Sequence, residues 1–256
     1  MKLTFLGTGT STGIPQINCN CETCRSTDQR DKRLRASAVL TLEDNRQILI
    51  DCGPDFRQQA LAHPMTNLRA ALLTHTHYDH VGGLDDLRPF CANFETGFPL
   101  YARADVITDQ RNRMPYSFAS HLYPGVPVFE THEILPYKSF TVDGDIEVMP
   151  LEVMHYKLPI LGFKIRNFAY ITDCKTLPEE TLQYLIGIDT LVLNALRHEE
   201  HLSHLNLIQA LEIINKIKPR RAYLTHLSHQ MGQHREVSKT LPENVEIAVD
   251  NLTIRI

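Results

Sequence analysis

Leu72-Leu73-Thr74-His75-Thr76-His77-Tyr78-Asp79-His80-Val81-Gly82-Gly83 decides how the remainder of the chain is read. The apolar run from Ala70 to Leu73 reads as a buried strand, and it stops on a burst of imidazoles and a carboxylate. His75 and His77 are two residues apart, so an extended backbone points both rings the same way. The chain then turns, with Asp79 placed to cap a helix that starts near Val81. Gly82 and Gly83 permit close approach of another backbone. Three neutral imidazoles and one carboxylate within six residues suit one or two borderline divalent cations. A chance surface cluster is the alternative, but a cluster where a hydrophobic strand ends has the position of a site.

The same arrangement recurs further along. Residues 146–153 read as a strand that runs on to His155, residues 168–172 as one ending at Asp173, and residues 221–225 as one ending at His226. Leu224-Thr225-His226 echoes Leu73-Thr74-His75, which suggests two similar halves meeting at one site. Strands at 37–42 and 47–50 form a hairpin ending at Asp51. Further strands are predicted at 2–6, 99–102, 162–166, 189–195, 245–249 and 252–256. Helices are predicted at 55–62, at 81–94 with a break at Pro89, at 178–186 and at 205–218. Residues 103–140 resist assignment and read as an inserted or lid-like segment. The loop from Gly7 to Gly13 is not a dinucleotide fingerprint, since no helical pattern follows it. A lone histidine after a strand is ordinarily a hydrogen-bonded surface group. Four such strand ends form a set that can converge at one sheet edge.

Composition bounds the function. A chain of 256 residues with 43% hydrophobic and 22% charged residues can bury a substantial core. With neither a linker nor a low-complexity tract, one domain over residues 1–256 is expected. The net charge of −4 argues against strong nucleic-acid binding but not against a small phosphate substrate. No apolar run approaches the roughly 20 residues of a membrane span, and the N-terminal apolar stretch is too short for a signal peptide. A cytoplasmic location with reduced thiols is therefore expected. Cys52 and Cys174 each follow a site aspartate and read as small buried residues.

His75-x-His77-x-Asp79-His80, preceded by Asp51 and followed by His155, Asp173 and His226, resembles the metallo-β-lactamase superfamily over essentially the whole chain. The resemblance implies an α/β fold, a four-layer αββα sandwich that binds two metals. By position, His75, His77 and His155 would hold the first cation. Asp79, His80 and His226 would hold the second, with Asp173 between them. Asp51 resembles the carboxylate that orients the ligands from behind. The bridging position is Asp where the lactam-cleaving members typically carry Cys, which argues against β-lactamase activity. Two cations about 3.5–4 Å apart generate a bridging hydroxide at neutral pH and suit phosphodiester or acyl hydrolysis. Manganese, zinc or iron could occupy such N/O ligands.

Cys19, Cys21 and Cys24 supply three thiolates where a tetrahedral zinc needs four ligands, and His229, three residues past His226, is the free candidate. A Cys-x-Cys-x-x-Cys loop ahead of the histidine cluster, with Thr-His-x-x-His near the end, is similar to the PhnP-type phosphodiesterases, which open cyclic ribose phosphates. That resemblance implies a structural zinc on Cys19, Cys21, Cys24 and His229. It also matches His204 to a catalytic histidine, with His201 competing for the task. Catalysis is thus expected to rest on Asp79 and His204, acting on a small phosphodiester, with no membrane partner and a homodimer by analogy. The alternatives are a lactone or thioester hydrolase on the same site, and a noncatalytic partner resembling the cofactor-biosynthesis protein PqqB. A tRNA 3′-end endonuclease is disfavoured, since nothing resembles its basic arm.

Overall fold

The computed structural model describes residues 1–119 and 121–256. The strands are β1 (Lys2–Gly7), β2 (Ser37–Thr41), β3 (Gln47–Ile50), β4 (Leu68–Leu72), β5 (Phe98–Ala102), β6 (Phe129–Glu133), β7 (Phe140–Val142), β8 (Ile146–His155), β9 (Leu158–Ile165), β10 (Phe168–Ile171), β11 (Thr190–Asn194), β12 (Arg221–Thr225), β13 (Val245–Ile247) and β14 (Thr253–Arg255). They form two seven-stranded sheets, ordered β14-β1-β2-β3-β4-β5-β6 and β13-β12-β11-β10-β9-β8-β7. Each sheet is mixed: β3 to β6 are parallel in the first, and β10 to β13 in the second.

Alternation along the strands dictates the layering, because successive side chains face opposite ways. Ile48, Ile50, Ala70 and Leu72 of the first sheet join Phe168, Tyr170, Val192 and Tyr223 of the second in one inter-sheet core. The residues between them face outward. Leu49 and Ala71 pack with Phe56 and Val106 from the helices Phe56–Ala62 and Ala104–Arg113. Ala169, Leu191 and Leu224 pack with Leu182, Leu185, Ala210 and Ile214 from the helices Glu179–Leu185 and Leu207–Ile217. Helix, sheet, sheet, helix is the four-layer αββα sandwich. No helix among the described residues is long and apolar enough to cross a membrane.

Four local expectations are corrected. The helix after the histidine cluster starts at Tyr78, with His77 at its cap and no side-chain cap bond, so Asp79 lies in the first turn and turns its carboxylate to the site. The stretch predicted as helix 81–94 breaks into Tyr78–Val81, a 3-10 turn Leu84–Leu87 and Arg88–Cys91. The segment 103–140 carries a ten-residue helix and β6, the edge strand of the first sheet, and so contributes to the frame; within it, Ser120 lies outside the described residues. The helix expected at 205–218 begins only at Leu207, since Asn206 and Gln209 form a reciprocal capping box.

Backbone contact fixes the loop after β3 against the histidine loop. A Cβ on Gly53 would sit 2.0 Å from the Asp79 carbonyl oxygen, and one on Gly83 would sit 2.0 Å from that of Gly53. The amide of Cys52 donates to the His80 carbonyl at 2.7 Å, and that of Gly83 to Cys52 at 2.8 Å. Only glycine allows this approach.

Candidate metal centre

The site sits where strands of both sheets end. Past β4 come His75, His77, Asp79 and His80; β8 ends on His155; Asp173 follows β10; His226 follows β12. Asp51, Asp173 and His226 all leave their strands in the left-handed region, with φ of 59°, 54° and 57°. Such a conformation is costly for a residue with a Cβ and marks positions that the surroundings over-determine.

These side chains converge. The donor atoms of His75, His77 and His155 lie within 4.8 Å of one another, as do those of Asp79, His80 and His226, and those of His75, His80 and Asp173. Asp173 links the two triads: its carboxylate oxygens lie 3.1 Å from His80 Nε2 and 3.2 Å from His226 Nε2 in the second, and it groups within 4.8 Å with donor atoms of His75 and of His155 in the first. Asp79 lies 3.2 Å from His80 Nε2 and 3.6 Å from His226 Nε2.

Hydrogen bonds set the tautomers from behind. Asp51 accepts the His80 Nδ1–H at 2.7 Å. The Thr74 hydroxyl donates to Asp51 and accepts from His75 Nδ1 at 2.9 Å. His155 Nδ1 donates to the Ser203 carbonyl at 2.8 Å. Each bond turns the Nε2 lone pair of its ring toward the common centre. His75 Nε2 and His80 Nε2, both buried, have no hydrogen-bond partner in the protein. Buried nitrogens are seldom left so unless something else occupies them. A cation fits this donor set.

The charges agree. Burial disfavours an imidazolium at His80, but Asp173, Asp51 and Asp79 outweigh it and raise its pKa well above the ordinary histidine value. Burial opposes ionisation of Asp173 and Asp79, yet the surrounding imidazoles hold both well below the usual carboxylate range. Burial and the neighbouring His80 push His75 far down, keeping it neutral. Three carboxylates around one ring form a negative cage of the kind that a divalent cation neutralises.

His204 also reaches the centre. Its ring lies 4.6 Å from that of His155 and 5.0 Å from that of His226, and its Nδ1 is 3.7 Å from Asp173. His201 stands one ring further out, 5.1 Å from His204, half-buried and with its Nδ1 facing Ser203.

A second cluster includes His229, three residues past His226. The sulfurs of Cys19, Cys21 and Cys24 and a nitrogen of His229 lie within 4.8 Å of one another, with His229 Nδ1 at 3.3 Å from both Cys19 and Cys21. Burial opposes the Cys21 thiolate, but hydrogen bonds from His229, the Cys24 amide and the Cys19 and Cys24 thiols together outweigh it, and its pKa falls to about 6. Thiolate and imidazole donors at this spacing are zinc chemistry. The loop is tied to the active-site strand: Thr10 donates to Leu227 and Leu227 to Thr8, both at 2.9 Å. Cys52 and Cys174 are fully buried, as expected of small core residues.

A family model described as the beta-lactamase superfamily domain matches residues 46–227. The chain belongs to that superfamily. A solved structure titled as a new diphosphatase from the PhnP family is 35% identical, with a TM-score of 0.91 over 100% of this chain and 97% of that one. Zinc-bound PqqB from Methylobacterium extorquens shares the fold at 20% identity, with a TM-score of 0.83 over 100% of both chains. Among curated proteins, the octanoyltransferase of Porphyromonas gingivalis is 43% identical over 253 residues, which is 98% of this chain. The chain spans about half (51%) of that relative's length.

Proposed function

We propose that this metallo-β-lactamase-fold hydrolase cleaves small phosphodiesters, with cyclic ribose or nucleotide phosphates as the substrate class. The observation that carries the reading is the joined pair of donor triads, His75, His77 and His155 beside Asp79, His80 and His226, with Asp173 reaching into both. The first triad would hold one cation, the second another, and Asp173 would touch both. When bound, two such cations (manganese or zinc) supply a nucleophilic water at neutral pH and positive charge for the transferring phosphoryl group. The protein's own groups do the rest. Asp51, Thr74 and Ser203 keep the ligand rings in one tautomer, so the centre is organised before substrate arrives. His204, with its ring beside those of His155 and His226, takes the task of donating a proton to the leaving alkoxide; burial pushes its pKa down to about 3 in the free protein, so the negative charge of the bound phosphodiester must bring that proton. Cys19, Cys21, Cys24 and His229 would hold a zinc ion, which would anchor the N-terminal loop. Likeness over the whole chain to a PhnP-family diphosphatase supports phosphorus rather than carbon as the centre attacked.

Hydrolysis of a thioester or lactone is the second reading, and the relative named octanoyltransferase favours it, since that name concerns acyl transfer. A noncatalytic role like that of a cofactor-biosynthesis partner is the third. Protein loaded with manganese or zinc is expected to hydrolyse bis-para-nitrophenyl phosphate and 2′,3′-cyclic nucleotides faster than lactones or acyl thioesters. The opposite ranking would move the function to acyl hydrolysis. Trace metal only, with no turnover on added cation, would leave the binding partner.

A further inference from the structure

Every imidazole around a cation pair needs its far nitrogen fixed, because a free ring can rotate or change tautomer. Thr74 serves His75, Asp51 serves His80 and the Ser203 carbonyl serves His155. Among the buried ligand rings, His226 is different. Its Nε2 faces Asp173 and Asp79 at 3.2 and 3.6 Å, while its buried Nδ1 has no partner in the protein.

Two more buried polar atoms behind the site share that condition: the hydroxyls of Tyr170 and Thr225, both on side chains with no solvent exposure. Their places in the fold are related. Tyr170 on β10 is in register with Val192 on β11, and Val192 with Tyr223 on β12. All three point into the layer between the sheets. Thr225, two residues beyond Tyr223, faces the same layer one step nearer the site, and His226 follows it directly. The Tyr170 ring is long enough to cover that step. Burial and the charge of Asp51 push its hydroxyl well above the ordinary phenol range, and neither it nor the Thr225 hydroxyl has a hydrogen-bond partner among the described residues.

We propose that Tyr170 and Thr225 are positioning residues for His226: with one buried water between them, they supply the hydrogen bond that its Nδ1 lacks. Three enclosed polar groups are what a buried water needs to be held. The water accepts from His226 Nδ1–H and from the tyrosine hydroxyl, and donates to Thr225. His226 Nε2 is then kept as a lone pair aimed at the second cation, the service Asp51 gives His80. This assignment rests on the two-cation reading above and is independent of the substrate.

The test is cation binding by Tyr170→Phe, Thr225→Val and Thr225→Ser, measured by competition with a chromophoric chelator and by the visible spectrum of the Co2+-loaded protein. Losing either hydroxyl is expected to weaken the cation at His226 about 10-fold or more and to alter the Co2+ spectrum. Metal-free melting temperatures should stay within a few degrees of wild type, and Thr225→Ser should restore binding. Wild-type affinity and spectrum in both Tyr170→Phe and Thr225→Val would overturn the proposal. So would a loss of binding that only tracks a loss of metal-free stability, or a Thr225→Ser variant as weak as Thr225→Val. A wild-type chain that takes up fewer than two cations at the histidine cluster would refute the two-cation reading itself, and this proposal with it. Variants that match a two-cation wild type would refute the proposal alone.

Discussion

Asp51 and His80 are 29 residues apart in the chain and 2.7 Å apart in the fold, both buried. Asp51 also accepts from the amide and hydroxyl of Thr74, so one carboxylate orients two of the six imidazoles at the centre. Asp51→Asn keeps the shape but removes the charge and turns an NH2 toward a donor. Cation affinity should fall 10- to 100-fold, and metal-free stability by about 1–3 kcal/mol. Equilibrium dialysis and urea unfolding would measure the two effects separately. Unchanged affinity would restrict Asp51 to holding the fold.

In the proposed function His204 acts on the substrate rather than on the cations. His204→Ala should lower turnover by roughly 10²–10⁴-fold, the usual range for a lost proton donor, while metal content by atomic absorption stays at the wild-type value. His201→Ala should have a much smaller effect, since its ring stands one shell further from Asp173. A parallel loss of metal in His204→Ala would make it a ligand, which its place beside His155 and Asp173 also permits.

The sequence displays the frame and the candidate ligands because both obey short-range rules. Alternation in residues 47–50 and 68–72 reveals which side chains face the inter-sheet core, and histidines or aspartates stand out where those runs stop. Long-range and conformational features leave no such trace. The left-handed turns at Asp51, Asp173 and His226 carry no glycine to signal them. The edge strand β6, Phe-Glu-Thr-His-Glu, is half exposed and lacks an apolar period. Asp79 has the composition of a cap; family resemblance alone groups it with His80 and His226, and in the fold its carboxylate turns to both. Tyr170 reads as an ordinary core aromatic, and its hydroxyl gains meaning only from the strands beside it.

The cysteine loop should be separable from the catalytic centre. Cys21→Ser removes a sulfur that His229 and the Cys24 amide both address. The variant should bind one zinc fewer and lose order in residues 15–35, seen as faster proteolysis there, while the histidine cluster binds as many cations as in wild type. Some weakening at His226 is expected, since Leu227 is bonded to Thr8 and Thr10 at the root of the loop. Complete emptying of the histidine cluster would show the two centres to be one cooperative unit.

Asp250 provides a pH signature away from both clusters. It accepts from the Thr8 hydroxyl and the Leu34 amide, each at 2.6 Å, beside the buried guanidinium of Arg33. Burial pushes its carboxyl up to about 6, despite those bonds and the positive charge. The folded protein therefore holds this proton more tightly than the unfolded chain does. Its contribution to stability is complete below about pH 4, declines as pH rises through 6 and is gone above that. In urea unfolding from pH 4 to 7.5, the stability of wild type minus that of Asp250→Asn should fall by on the order of 2–3 kcal/mol and then level off. A difference that stays flat across that window would show that Asp250 is ionised throughout, held by Arg33 as a permanent buried pair.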